Sequence, residues 1–450
     1  MKRVIFLGFL FIHITCFAQW EQVGSNFGYT GGARVGDIVF HPVTNEPYIA
    51  YPQSGYRIDK FDGTDWIQTG VNLGFSYSNA GVSLTFDPSS NEPYVAFNNN
   101  IFNEFKTNRF DGSNWIETGT FTLANFISEI DVAFNPSTNE PYLAFPLESG
   151  TFDELVVVKF SNGNWVDVGS ALATFQYTGR PSIAFNPNTN EPYVAYTWGA
   201  NFVAVKKFDG VNWVSTGPIT GTPGELSNVS LAFNPSTNEP YIAFVDRANN
   251  ENKYVIQKFD GANWTQVGSN PGSSFGTGTI NLDFNPMTSE PHIAYPDDVL
   301  GSYIVQKFDG SNWTQVGNGV AGSFIGSECK IDFNPITNEP YVNYFDSGLN
   351  SLIVQKFNDN SLGLDSSISL LDQTVLYPNP SNGQIILNFK NTFEEIDIKV
   401  FDLSGKLIHS QNNKNAVNEL KVNLNLSENI YFIEITSGKQ KVVKKLIISY

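Results

Sequence analysis

A short motif repeated along the chain constrains the fold more than any other feature of the sequence. Asn-Glu-Pro-Tyr begins at Asn45, Asn91, Asn139, Asn190, Asn238 and Asn338, and Ser289-Glu290-Pro291-His292 fills the one gap. The seven copies are spaced by 46, 48, 51, 48, 51 and 49 residues. A second motif, Lys-Phe-Asp-Gly-x-x-Trp, recurs with small changes and ends on Trp66, Trp115, Trp165, Trp213, Trp264 and Trp313. A period near fifty residues predicts a stack of identical supersecondary units. Within one unit, 229–234, 240–244, 254–259 and 263–267 read as strands. Asn-Glu-Pro and Asp260-Gly261 make the connecting turns. Four short antiparallel strands per unit are the pattern of a β-propeller blade.

The ends of the array predict how the ring closes. Trp20-Glu21-Gln22-Val23-Gly24 matches a fourth strand, and the seventh repeat stops at Phe357 without one. The N-terminal strand therefore completes the last blade, leaving no open edge. The expected architecture is all-β: a seven-bladed β-propeller over 19–360, a linker at 361–374, and a small Ig-like sandwich at 375–450. Its composition, with 38 Gly, 23 Pro and 14% aromatic residues, suits short strands and tight turns.

Residues 1–18 differ from the rest. Lys2 and Arg3 precede an apolar run that ends at Phe17-Ala18, the pattern of a secretory signal peptide. The run is too short for a transmembrane segment, and no later stretch is apolar enough for one. Removal of the signal would leave Cys329 as the only thiol, so no disulfide forms within one chain. Cys329 reads as a small apolar residue rather than a nucleophile. Residues 19–371 hold 15 basic against 36 acidic residues, which disfavours nucleic acid and anionic membrane as partners.

A residue required in every blade serves something every blade needs. The Trp is expected to fill the space between blades, and the Glu of Asn-Glu-Pro to pair with the third-strand Lys, as at Lys258 or Lys307. Departures from the repeat carry more functional information. The turns linking strands one to two and three to four share one face and vary little. The second-to-third loops and the interblade connections share the other face and vary. On that variable face an acid follows the second strand in blades five, six and seven: Asp246, Asp297 (with Asp298 beside it) and Asp346. Blade four has Trp198 there. Asp246, Asp297, Asp298, Asp346 and Trp198 are the candidate ligand-binding residues, suited to a polar ligand such as a glycan, or to calcium. The Asp-Gly turns alone lack the six to eight oxygens calcium takes. Aromatics in the interblade loops, among them Phe27 and Phe121, suit either sugar stacking or packing. No nucleophile motif, phosphate loop or spaced histidine set is present. The expected function is an exported binding or adhesion module for a glycan or extracellular protein. The alternatives are a polysaccharide hydrolase or lyase with carboxylates on the same face, and a structural surface protein.

After Phe357 the repeat ends and the composition changes, with Lys rising and Trp absent. Strands are expected at 384–389, 396–401, 406–410, 420–424, 430–436 and 442–448. Here Tyr377-Pro378-Asn379-Pro380 with Gly383, then Val400-Phe401-Asp402-Leu403-Ser404-Gly405-Lys406, then Tyr431-Phe432-Ile433-Glu434-Ile435, and the Lys-rich stretch from Lys441 to Ile448 appear in order. This segment resembles the C-terminal sorting domain of type IX secretion substrates of the Bacteroidetes lineage. The resemblance implies type IX machinery as a partner, passage across the outer membrane, and a passenger anchored at the cell surface or released. It implies nothing about the passenger's activity.

Overall fold

In a computed structural model, the residues described are 19–28, 35–74, 81–99, 104–122, 129–148, 153–175, 180–198, 202–220, 228–246, 253–271, 278–297, 299–320, 325–358, 374–389, 395–402, 406–414, 418–437 and 440–449. Residues 1–18, expected to be a signal peptide, residues 361–373 of the expected linker, and Asp298 lie outside them. The chain divides into two compact units, 1–363 and 364–450. Among the described residues all regular structure is strand, and no helix is long and apolar enough to cross a membrane.

The first unit is a ring of seven four-stranded antiparallel blades. Blade one runs Ile38–Phe40, Pro47–Pro52, Tyr56–Phe61 and Trp66–Gln68 from the axis outward. Blade five follows the same order as Val229–Phe233, Pro240–Asp246, Lys253–Phe259 and Trp264–Gln266. Blade seven takes its outer strand from the start of the chain. Gln19–Gln22 pairs antiparallel with Ser351–Asn358, in register from Gln19 opposite Asn358 to Gln22 opposite Gln355. The ring is thus closed by main-chain hydrogen bonds.

Each repeated residue has a local physical task. The Asn of Asn-Glu-Pro sits at φ 55–60° in every repeat, with Ser289 at 58° in blade six. Asn tolerates this left-handed region better than most side chains. The Glu pairs with the third-strand cation in each blade, as in Lys159–Glu140 at 3.0 Å, Lys258–Glu239 at 3.2 Å and Lys307–Glu290 at 3.5 Å. The Asp of Asp-Gly accepts two backbone N–H groups of its own turn, 2.8 Å from both Ala262 and Asn263 at Asp260. These bonds hold its carboxyl below the usual range.

The aromatics join blade to blade. The Tyr of each motif meets, edge to face, the Phe that ends the next blade's inner strand. Tyr94–Phe134 and Tyr241–Phe284 each have ring centroids 5.0 Å apart, at 82° and 88°. Tyr341–Phe40 closes the series across the seam at 4.9 Å. His292 replaces Tyr in blade six and makes the same contact with Phe333 at 4.8 Å, so its imidazole is a ring substitute. Burial holds this imidazole neutral, at a pKa of about 4. Most of the outer-strand Trp residues donate their indole N–H to the preceding blade. Trp213 reaches Val168 O at 2.6 Å, Trp313 reaches Val267 O at 2.9 Å, and Trp20 reaches Val316 O at 3.0 Å across the closure. A glycine follows the strand where the neighbouring blade presses in. At Gly268 (φ +67°) a Cβ would lie 2.6 Å from Phe308.

The second unit is a sandwich of two antiparallel sheets. Val375–Tyr377, Gln384–Asn388 and Glu419–Asn423 form one, and Leu407–Lys414, Glu395–Phe401, Asn429–Ser437 and Gln440–Ile448 form the other. Their alternating inner residues, among them Ile385, Ile398, Val400, Ile433 and Leu446, make a single aliphatic core.

Candidate functional site

The inner strands face the axis with one open edge each. An unpaired strand edge invites misplaced pairing, and its N–H groups need acceptors. The sequence supplies them at one rank in six blades, Asp37, Ser83, Asp131, Ser182, Ser230 and Asn281, and places Lys330 at that rank in blade seven. In six blades this side chain accepts the N–H of the next blade's inner strand. The pairs are Leu84 to Asp37 at 3.0 Å, Val132 to Ser83 at 3.3 Å, Ile183 to Asp131 at 2.8 Å, Leu231 to Ser182 at 3.2 Å, Leu282 to Ser230 at 3.0 Å and Ile331 to Asn281 at 2.9 Å. Blade seven differs. The Lys330 ammonium donates an N–H to Asp37 at 3.0 Å, so the seam between last and first blade is an ion pair.

Two residues earlier on these strands, toward the loop-bearing face, a second charged layer crosses the channel. Arg180 Nε donates to Glu129 of blade three at 2.7 Å, and its Nη2 lies 3.5 Å from Glu328 Oε1 of blade seven. Blades four and seven stand as far apart as a seven-membered ring allows, so Arg180 spans the axis. Glu328 also accepts the N–H of Val35 at 3.2 Å. Together Arg180 and Lys330 face Asp37, Glu129, Asp131 and Glu328. A polar cavity of about 50 Å³ lies between Asp37, Asp131, Arg180 and Lys330, room for a few waters.

The electrostatics follow from this placement. These groups look into a lumen but are ringed by protein. Burial works against ionisation of Asp37, yet the Lys330 ammonium and the Leu84 N–H bring its carboxyl below the usual range. At Asp131 burial, followed by the nearby Asp37 charge, outweighs Lys330 and the Ile183 N–H and raises the carboxyl to about 6. Burial disfavours the Arg180 cation, but Glu129 and Glu328 outweigh it and hold its pKa above the ordinary value.

The residues singled out on the variable face share one rank, the last position of the second strand. Trp198 is opposite Phe202, Asp246 opposite Lys253, Asp297 opposite Ser302, and Asp346 opposite Ser351. Blades five, six and seven therefore bring three acids to one sector. Asp297 is buried and accepts the N–H groups of Val299 at 3.0 Å and Leu300 at 2.9 Å. Asp346 is buried and accepts that of Leu349 at 3.0 Å. Both carboxylates thus shape their own loops. Asp246 is the more exposed of the three. Asp298 lies outside the described residues. Among the described residues no group of three or more His, Cys, Asp or Glu is placed to hold a metal such as calcium. Of the interblade-loop aromatics, Phe27 packs on Tyr51 and Trp66, and Phe121 stacks on Phe105 at 5.3 Å. Cys329 is buried and its thiol is pushed up by burial. His41 stands where other blades have Asn or Asp, and its Nδ1 accepts the same turn N–H groups, those of Val43 and Thr44, at 3.1 Å.

Sequence reasoning missed the axial charges. Glu129, Arg180 and Glu328 each stand ten residues before the Asn of their repeat motif. Aligning the repeats on that Asn would have shown three charges of mixed sign sharing one layer.

Comparison with known proteins bears on the two units separately. Residues 375–449 match the family model of the secretion system C-terminal sorting domain. The chain is a type IX secretion substrate. Export by this route delivers the type IX substrate to the cell surface or the extracellular space. A solved structure of a Niastella koreensis GH74 enzyme is similar in fold, with a TM-score of 0.51 at 14% identity, over 94% of this chain and 67% of that one. No curated protein matches the sequence.

Proposed function

We propose that the propeller is an exported binding module whose recognition surface is the loop-bearing face. One observation carries this reading: residues repeated in the blades are engaged in turns or blade contacts, and the channel beneath that face is crossed by Arg180 and its partners. The second-to-third loops and the interblade connections differ in length and sequence from blade to blade, the usual place for binding on a rigid scaffold. The rank of Trp198, Asp246, Asp297 and Asp346 borders those loops. A glycan or an extracellular protein fits this surface and the route of export. The test is a glycan array probed with residues 19–360, with calcium and with chelator. Specific binding abolished by Trp198→Ala or Asp246→Asn supports a glycan module. Clean negatives in both conditions move the reading to a protein partner.

The fold likeness to a GH74 enzyme favours one second reading, a hydrolase acting on a polysaccharide. Glycosidases use two carboxyl groups at about 5–9.5 Å. Release of reducing sugar by the wild type, lost in an Asp246→Asn variant that still folds, would establish it over simple binding.

A further inference from the structure

The opposite, turn-bearing face departs from its repeat in one sector. Two residues before each motif Asn, the tip of the first turn carries Ser89, Ser137, Asn188 and Ser236 in blades two to five. In blades six, seven and one the same rank holds Met287, Ile336 and Val43, which are 53%, 59% and 66% exposed. The turn does not require this change. The backbone N–H of Met287 bonds Asn285 at 3.0 Å just as that of Ser137 bonds Asn135 at 2.9 Å, and both turns have the same form. Three exposed apolar residues on consecutive blades therefore serve nothing local, and such a patch marks a contact surface.

The channel mouth beside these tips departs in the same sector. One layer of inner-strand residues reads Val39, Thr85, Ala133, Ala184 and Ala232 in five blades, then Asp283 and Asp332 in blades six and seven. These two look into a cavity of about 580 Å³ whose walls include Phe40, Phe284, Phe333 and the prolines preceding the exposed tips. Each carboxylate accepts the N–H of the residue after it, Phe284 at 2.8 Å and Phe333 at 2.6 Å. The two carboxyls also hydrogen-bond each other, and neither has an ion-pair partner among the described residues. Burial, and at Asp332 the charge of Asp283 as well, pushes both carboxyls up. An apolar cavity of this size with a few convergent polar groups has the character of a binding site.

We propose that this sector is a docking site for an extended basic segment of an extracellular protein. One lysine or arginine side chain enters the mouth beside Asp283 and Asp332, and apolar residues flanking it lie on Val43, Met287 and Ile336. Charge complementarity selects this occupant. A cation would let the hydrogen-bonded carboxyl pair ionise in place of its retained protons, the Phe rings favour it, and the acidic body of the propeller repels acidic segments. The site lies on the face opposite the loops, so a result at the loops leaves it untouched.

The experiment is a selection of displayed random twelve-residue peptides on the mature chain. The counter-selection target is the variant Val43→Ser, Met287→Ser, Ile336→Ser. Serine already occupies this rank in three blades, so the variant keeps the turn. The proposal expects recovered peptides to carry Lys or Arg between apolar residues. Their affinity should fall at least tenfold on Asp283→Asn with Asp332→Asn, and also when the basic residue becomes Glu. Recovery of no peptides, of peptides that bind the serine variant equally, or of peptides indifferent to the Asn pair would overturn it.

Discussion

At the loop-bearing end of the channel, Arg180 and Lys330 sit among four carboxylates and tie blades three, four, seven and one together. At the turn-bearing end, Asp283 and Asp332 stand side by side beneath an apolar rim. The same seven strands supply both ends, a few residues apart. The difference shows that a repeat scaffold can place paired charges at one mouth to hold the ring and set two carboxyls side by side at the other with no ion-pair partner among the described residues. Buried charge in a propeller is thus legible only by its partners, never by its presence.

The comparison breaks most readily at Arg180. Arg180→Met would remove the cation that Glu129 and Glu328 share across the axis, at a cost of about 3–5 kcal/mol. Chemical denaturation should show it, and adding Glu129→Gln with Glu328→Gln should recover much of the loss. The next effect is at the interblade rank. Asn281→Ala removes the acceptor for Ile331 N–H, and an unmet buried donor costs about 1–3 kcal/mol. At the other mouth the sign reverses. Asp283→Asn should stabilise the propeller at pH 8, by on the order of 1 kcal/mol after allowance for screening by channel water. Smallest of all, serine at Val43, Met287 and Ile336 should change stability by less than about 0.5 kcal/mol, because those side chains are exposed.

Much of the fold was legible because the repeat repeats its physics. The strands of blade five fall within a residue or two of expectation, and the closing strand at Trp20 pairs where the missing motif required. The Glu–Lys pair was legible from its recurrence. In the sorting domain, Val375–Tyr377 was not read as a strand, since it is three residues long and runs straight into Pro378. The candidate site was harder. Asp297 and Asp346 were found by rank, but their engagement with their own loops depends on loop geometry that no spacing encodes. Arg180 meets Glu328 only across the axis, a contact 148 residues apart that exists once the ring is closed. The pairing of Asp283 with Asp332 likewise needs the layer, not the sequence order.

The most direct test of the contrast between the two mouths is the pH dependence of unfolding free energy from pH 5 to 8.5, for the wild type and Asp283→Asn. A carboxyl raised in the folded state stays protonated there while it ionises in the unfolded chain. Stability therefore falls as pH climbs from the unfolded value toward the folded one, by up to about 1.4 kcal/mol per pH unit for each such group. The account predicts a wild-type decline across this range and a flatter curve for Asp283→Asn, with the gap widening toward pH 8. Parallel curves would contradict it, because they would mean that Asp283 and Asp332 are as well compensated as the charges around Arg180.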